Sequence, residues 1–334
     1  MAARVFKLRP AGPWRLGPSS GARDRVDRVC HSDTLYSAVS SAMDRLGWRE
    51  EWFDATARAA EPAVRLGSLF PWQEDALFAP APGHLWPPPG TSKLRASGAR
   101  LLPSYLVGWL AAGQPFNEDQ WDVDSYSECL IRKGRKRTSP FRVSLRSHAA
   151  VDRADHGVTL PHQSACLEFG EDAGLWCAID AADETWADRV ECALRLLGDS
   201  GIGGERSQGW GHFEIAETKR GSLAHMLLGG RGAHASSEGA PAYWLLSLLS
   251  PAATDRIDWK RGSYELVERG GRIESAAGSG DLKKTVRMVR EGSVLLAGEA
   301  PVGAAPDVAP AGFPHPVYRA GFALSVPLPW RGNA

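Results

Sequence analysis

The sequence offers neither a disulfide frame nor a zinc knuckle. Its five cysteines, at positions 30, 129, 166, 177 and 192, are odd in number and include no C-x-x-C pair, a pattern of reduced thiols. Long apolar runs are also missing. The longest, YWLLSLL at 243–249, is far too short to span a bilayer, and the opening MAARVFKLRPAGPW has no signal-peptide core. Net charge is absent too: 39 Lys and Arg balance 39 Asp and Glu, so any affinity for a polyanion has to come from local clusters. These absences predict a soluble, cytoplasmic protein with no membrane partner, metal cage or cofactor. What the chain does have is apolar material. A hydrophobic content of 43% in 334 residues is enough to fill the cores of two ordinary domains.

RVFKLRP (4–10) sets Phe6 and Leu8 against Val5, Lys7 and Arg9, the alternation of a half-buried strand. HSDTLYSAVSSAMDRLGW (31–48) repeats Leu35, Ala38, Val39, Ala42, Met43 and Leu46 at helical spacing, after Ser32 or Asp33 as N-cap and with Gly47 closing. Residues 79–104 carry too much proline and glycine for regular structure and read as an insertion. ADETWADRVECALRLLGD (182–199) predicts a second helix, with Asp183 or Thr185 at its start and a stripe of Val190, Ala193, Leu194 and Leu197. HFEIAE (212–217) alternates as a strand. The low-complexity stretch 227–242 reads as a linker between units 1–226 and 243–334. In the second unit YELVERGGRIES predicts a hairpin turning at Gly270-Gly271. KKTVRMVREGSVLL (283–296) gives two strands around Glu291-Gly292-Ser293, and 315–328 a last one. The predicted class is α+β, with the second unit richer in strands.

Six glycines fall between 198 and 211. A dinucleotide fingerprint needs a strand before the loop and a helix after it, and here the order is helix, loop, strand. No G-K-[ST] follows, so a P-loop is excluded as well. What remains is a plain turn, or a loop whose backbone amides at Gly203, Gly204 and Gly209 approach a phosphate or ribose. Arg206 and Ser207 would add donors there, and Trp210 a stacking face. IRKGRKRTSPFRVSLR (131–146) holds seven basic residues and no acid, which invites a polyanion. Arg135, Lys136 and Arg137 are its phosphate-facing candidates. Lys283, Lys284, Arg287 and Arg290 form a second basic group, in which strand alternation turns Arg287 away from Lys284 and Arg290. His31 is the candidate for acid–base work, or else a structural or base-contacting residue; no second acid–base group stands near it in sequence. Asp33 suits a helix N-cap. Asp152, His156, His162 and Cys166 make a sparse metal set without a C-x-x-C or H-x-x-x-H core.

A helix, then G-x-G-G-x-R-S-x-G-x-G-x-F, then a strand resembles the glycine-rich loop of the RAMP proteins of CRISPR effector complexes. LRPAGPWRLG (8–17), HSDTLYSAV (31–39), KKTVRMVREGSVL (283–295) and VYRAGFALSVPL (317–328) resemble, in order, the fourth-subunit family of the Csm-type (subtype III-A) effector. Residues 49–130 carry no part of the likeness. The resemblance implies two RRM-like (ferredoxin-like) domains, the first with a β-hairpin thumb inserted within about 80–170. Residues 132–169, which include Arg153 in VDR, are the thumb candidate. It further implies a non-catalytic RNA-binding subunit that grips the 5′ repeat-derived handle of the guide RNA (crRNA), with target RNA nearby. Such a subunit links a large polymerase-like signalling subunit to a backbone RAMP subunit. The RNA-binding residues expected on this basis are His31, Ser32, Lys133, Arg135, Lys136, Arg137, Arg142, Arg153, Gly203, Gly204, Arg206, Ser207, Gly209, Trp210, Lys283 and Lys284. The alternative is a metal-independent, guide-processing endoribonuclease that uses His31.

Overall fold

The computed structural model describes residues 2–17, 21–93, 98–134, 138–151, 157, 159–230, 241–275 and 278–330. The chain begins with β1 (Ala2–Pro10), α1 (Ser32–Arg45) and α2 (Arg49–Ala55). Four strands follow: β2 (Val64–Leu66), β3 (Phe70–Gln73), β4 (Ala76–Pro80) and β5 (Leu101–Pro103). Next come α3 (Ser104–Ala111), β6 (Trp121–Val123), β7 (Leu130–Arg132), β8 (Phe141–Val151) and β9 (Thr159–Phe169). The unit closes with β10 (Ala173–Ala181), α4 (Glu184–Ser200), β11 (Phe213–Arg220) and α5 (Leu223–Leu228). A seven-stranded sheet takes the order β11-β1-β10-β3-β4-β5, with β2 also paired to β10. Its β1 neighbours are antiparallel, with Phe6 opposite Cys177 on one side and Thr218 on the other.

The spacing that predicts α1 holds: Leu35, Val39, Ala42 and Met43 are buried. In α4, Val190, Ala193, Leu194 and Leu197 are buried as expected, and the Asp183 carboxylate caps the helix by accepting from the Trp186 N–H at 2.9 Å. Both helices cover one face of the sheet, where Phe6 and Leu8 join their stripe in a single core. The half-buried reading of β1 needs correction, because its other face is covered as well. Val5 lies in a second core with Trp72, Trp176, Leu106 of α3 and Leu227 of α5. Arg4 is almost fully buried, and its guanidinium meets Glu184, Asp188 and Glu191 along one side of α4. A strand with a paired strand on each edge and cover on both faces leaves its central charges, Arg4 and Lys7, no solvent side, so each must find a partner; Arg9 near its end stays exposed.

The second unit opens with β12 (Ala242–Leu245), the centre of a three-stranded sheet with β17 (Val294–Leu296) and β20 (Ser325–Leu328). Residues 231–240 of the expected linker lie outside the described residues. Two-stranded pairs complete the unit: β13 (Leu266–Arg269) with β16 (Val286–Val289), β14 (Arg272–Ser275) with β15 (Gly278–Leu282), and β18 (Gly303–Ala304) with β19 (Gly321–Phe322). The hairpin expected at Gly270-Gly271 is therefore not formed. β13 and β14 flank that turn but pair with different partners, so the glycines separate two sheets. Among the described residues from 241 onward there is no helix, so a second β-α-β-β-α-β domain is not built. Trp244, Leu246, Val294, Leu324 and Val326 instead complete the second core of the first unit. The two units thus share one interior.

Candidate nucleic-acid interface

β8 and β9 form a two-stranded hairpin in continuous register from Phe141↔Phe169 to Val151↔Thr159. The residues 13–16 tie it to the glycine loop. Trp14 and Leu167 exchange backbone hydrogen bonds at 3.0 and 2.7 Å, while the Gly204 and Gly211 N–H groups donate to the Arg15 and Pro13 carbonyls, both at 2.9 Å. The buried Arg15 guanidinium donates to the Ala165 and Arg23 carbonyls at 3.0 and 2.8 Å. Ser164 Oγ donates to Glu205 at 3.4 Å. Loop, hairpin base and N-terminal segment are one body.

This packing changes the reading of the glycines. Gly203 has φ +92°, and a Cβ there would overlap the Arg15 carbonyl; at Gly211, φ +79°, it would overlap the Ile202 carbonyl. Both positions need glycine for the fold itself. Gly204 differs: its φ is not left-handed, and a Cβ would lie 3.1 Å from the Arg15 Cδ rather than on a backbone carbonyl. The amides expected to be open are in use at Gly204, on Arg15, and at Gly209, whose N–H donates to Arg206 at 3.0 Å. Trp210 is not the expected free stacking face. It is 5% exposed and packs on His148, which stacks on His162. A shallow depression remains over Gly203, Gly204, Arg206 and Ser207.

Of the basic run, Arg135, Lys136 and Arg137 lie outside the described residues, as does Arg153. Lys133 faces Asp122 at 3.6 Å. Within 131–146, Arg142 and Arg146 share an acid supplied by β9: Glu168 holds Arg142 at 3.0 Å and Arg146 at 2.6 Å. Arg146, Ser144 and Arg142 hold its carboxyl down at about 2. Lys283 and Lys284 precede β16, and their N–H groups donate to the Gly271 and Val308 carbonyls at 2.9 Å each. Arg287 and Arg290 are occupied by Glu268 and Glu265 at 3.4 and 3.3 Å. Asp152 and His156 of the sparse metal set lie outside the described residues, and His162 is engaged with His148.

The residues HSDT, expected at RNA or at a helix cap, lie at the seam between the units. His31, not Ser32 or Asp33, is the N-cap residue, and it makes no side-chain cap bond. Its Nδ1 lies 2.8 Å from Glu291 Oε1, a carboxylate that also accepts from Ser68 Oγ. Ser32 Oγ accepts from the Leu248 N–H at 3.0 Å, and the Ser32 N–H donates to Ser68 Oγ at 2.8 Å. Asp33 receives Arg269 at 3.0 and 3.1 Å and Arg319 closer still. Burial favours the neutral form of each ionisable group here; it prevails at Arg319, whose pKa is lowered, while at His31, Glu291 and Asp33 the charged partners outweigh it. Glu291 raises the pKa of His31 above the usual imidazole value, His31 and Ser68 lower that of Glu291, and Arg269 with Arg319 lowers that of Asp33. His31 therefore does have a charged partner. Its only sequence signal is the turn Glu291-Gly292-Ser293, which reads as a connection between strands.

This mixed α/β chain with antiparallel sheets is similar in fold to chains of solved Csm4-containing complexes. The chain of a Csm3–Csm4 subcomplex from a type III-A CRISPR-Cas interference complex superposes with a TM-score of 0.61 at 16% identity, covering 99% of this chain and 100% of that one. One from a Csm1–Csm4 cassette in complex with cA4 gives 0.60 at 18%, covering 99% of each. The CRISPR Csm4 C-terminal domain family matches residues 238–328. The CRISPR system Cms protein Csm4 of Mycobacterium tuberculosis (strain ATCC 25618 / H37Rv) is 25% identical over 255 residues, 74% of this chain and 73% of that protein. Its counterpart in Thermococcus onnurineus (strain NA1) is 24% identical over 227 residues, 63% and 66% of the two chains. The chain is thus similar to Csm4 proteins over most of its length, with a Csm4 C-terminal domain match at residues 238–328.

Proposed function

We propose that this chain is a non-catalytic, RNA-binding subunit of a type III-A interference complex. It grips the 5′ repeat-derived handle of the guide RNA and joins the large polymerase-like subunit to the backbone filament. The carrying observation is the union of glycine loop and hairpin. Sequence segments far apart along the chain meet through Arg15, Trp14 and Ser164, which turns two separate expectations into one continuous face. The hairpin β8–β9 is the thumb on this reading, and the run Arg135–Lys136–Arg137 on the connection leading into it supplies phosphate contacts. Related chains are solved with Csm1 and with Csm3, which supports the two protein partners. Recovery of the complex from cells, followed by RNA sequencing, tests the reading: the RNA should share one 5′ end. Fragments with scattered ends would refute handle gripping.

A second reading is kept by the pair His31–Glu291, because a carboxylate-bound imidazole is part of what metal-independent RNA cleavage needs. Purified protein incubated with repeat RNA should leave it intact, with or without divalent metal. Cleavage that disappears in His31→Ala would establish the endoribonuclease instead.

A further inference from the structure

We propose that a cavity at the seam of the two units receives one unpaired nucleotide, its base on the Tyr264 ring, a donor-bearing edge toward Asp27 and a phosphate toward Arg28 and Arg100. The inference rests on the RNA-binding reading and places a site on it that lies away from the glycine loop. The cavity measures about 640 Å³, in the range of ligand pockets. One wall comes from the first unit, through Asp27, Arg28, Arg100 and Glu128; the other from the second, through Tyr264 and Arg290. His31 and Glu291, both buried, form its floor as an already paired couple.

Three features select a nucleotide. Tyr264 is 39% exposed and is braced edge-on by Trp259 at 5.1 Å, a fixed ring with surface to spare. Arg28 and Arg100 both pair with the single carboxylate of Glu128, the latter at 3.2 Å, so that end holds one cation in excess, the charge of one phosphodiester. Asp27 also lines the cavity, in the fields of His31, Arg269, Arg290 and Asp33. Its carboxylate is half-buried, and among the described residues no hydrogen bond or ion pair is made to it. A carboxylate accepts only, so it asks for a base edge that donates: the amino group of cytosine or adenine, or the two adjacent donors of guanine. Burial raises its pKa, in keeping with a group that waits for a donor.

The full chain is tested with guide RNAs that carry one abasic nucleotide at successive handle positions. At one position the parent should lose about tenfold or more in affinity, as expected for one base–aromatic stack. Tyr264→Ala should lower binding of intact RNA by a similar factor and then be indifferent to that abasic substitution, while Tyr264→Phe keeps both properties. Asp27→Asn should narrow the difference between an amino-bearing base and uracil at the same position. If the Tyr264→Ala and abasic losses multiply at every position, ring and base do not meet and the proposal is overturned. The same holds if Tyr264→Ala leaves RNA affinity and mononucleotide binding as in the parent. Competition by AMP, GMP, CMP or UMP at micromolar levels, abolished in Tyr264→Ala, assigns the cavity to a free nucleotide; a position-specific abasic effect without competition assigns it to RNA. If neither occurs but Tyr264→Ala weakens recovery of neighbouring subunits, a protein segment fills the cavity and the nucleotide is excluded. Should deletion of the whole handle leave parent affinity unchanged, the handle-gripping reading fails first, and mononucleotide competition alone decides the cavity.

Discussion

His31 and His84 are pulled in opposite directions by the same fold. Glu291 raises His31 above the ordinary imidazole value despite burial, whereas burial pushes His84 down to about 4, with only the Pro329 carbonyl opposing. A raised value means that the His31 contribution is complete below the unfolded value, near 6.5, and is lost as pH climbs through the folded one. Glu291, lowered, contributes above the ordinary carboxylate range and loses its share in acid. The gap in urea midpoint between the parent and His31→Gln should therefore be widest at mildly acidic pH and shrink toward alkaline pH. His84 behaves in reverse: stability falls as pH drops from about 6.5 toward 4, and His84→Phe should flatten that limb. A gap that grows with pH at His31 would show that the imidazole is held neutral. The glycines make a second residue-scale contrast. Gly203→Ala forces a left-handed residue into the Arg15 carbonyl and should cost at least about 1–3 kcal/mol in denaturant unfolding. Gly204→Ala keeps an ordinary backbone and presses the buried Arg15 side chain by only a few tenths of an ångström, so it should cost less than Gly203→Ala in the same unfolding measurement.

The hairpin β8–β9 behaves as an element whose charges divide into two kinds. Arg142 and Arg146 share the one carboxylate of Glu168, so together they carry a single excess positive charge and contribute less counterion release than two free arginines would. Replacing Arg135, Lys136 and Arg137 together by Ala should lower the salt slope of guide binding by about 0.7 for each single-strand phosphate that they neutralise. Arg142→Ala should change it by less, and Glu168→Gln should steepen it by releasing two guanidiniums. Measuring Kd between roughly 50 and 200 mM salt separates these outcomes. Equal slopes for the triple variant and the parent would make the run an ordinary solvated loop.

Across the whole molecule, a chain of buried ionic contacts takes the place of a second sheet-and-helix domain. Asp33 is buried between Arg269 and Arg319, so Asp33→Ala leaves two cations in a dry seam without their anion. The expected loss is about 3–5 kcal/mol, with Asp33→Asn close behind because charge is what is missing. The shared core predicts that the variant still melts in a single transition by calorimetry, since the units have no separate interiors to keep. Two resolved transitions would show that the seam, and not the common core, unites them.

Local pattern by itself determined α1 and α4, the strand after the glycine loop and the strands on either side of Glu291, and narrowed the α4 cap to Asp183 or Thr185. These depend on neighbours three or four residues apart, or on alternation, and such signals survive in one dimension. The order of motifs along the chain determined the RAMP likeness in the same way. Only the tertiary structure decided where the chemistry lies. His31 finds Glu291 and Asp33 finds Arg269 and Arg319 across more than 230 residues, and no periodicity encodes such a meeting. The Gly270-Gly271 turn resembles a hairpin because turn residues set a reversal, not a partner, and β16 competes for β13. Trp210 and Gly203 look open in sequence for the same reason. Whether an aromatic ring or an amide faces solvent depends on what else packs there, and residues 13–16, nearly two hundred positions upstream, cover the loop.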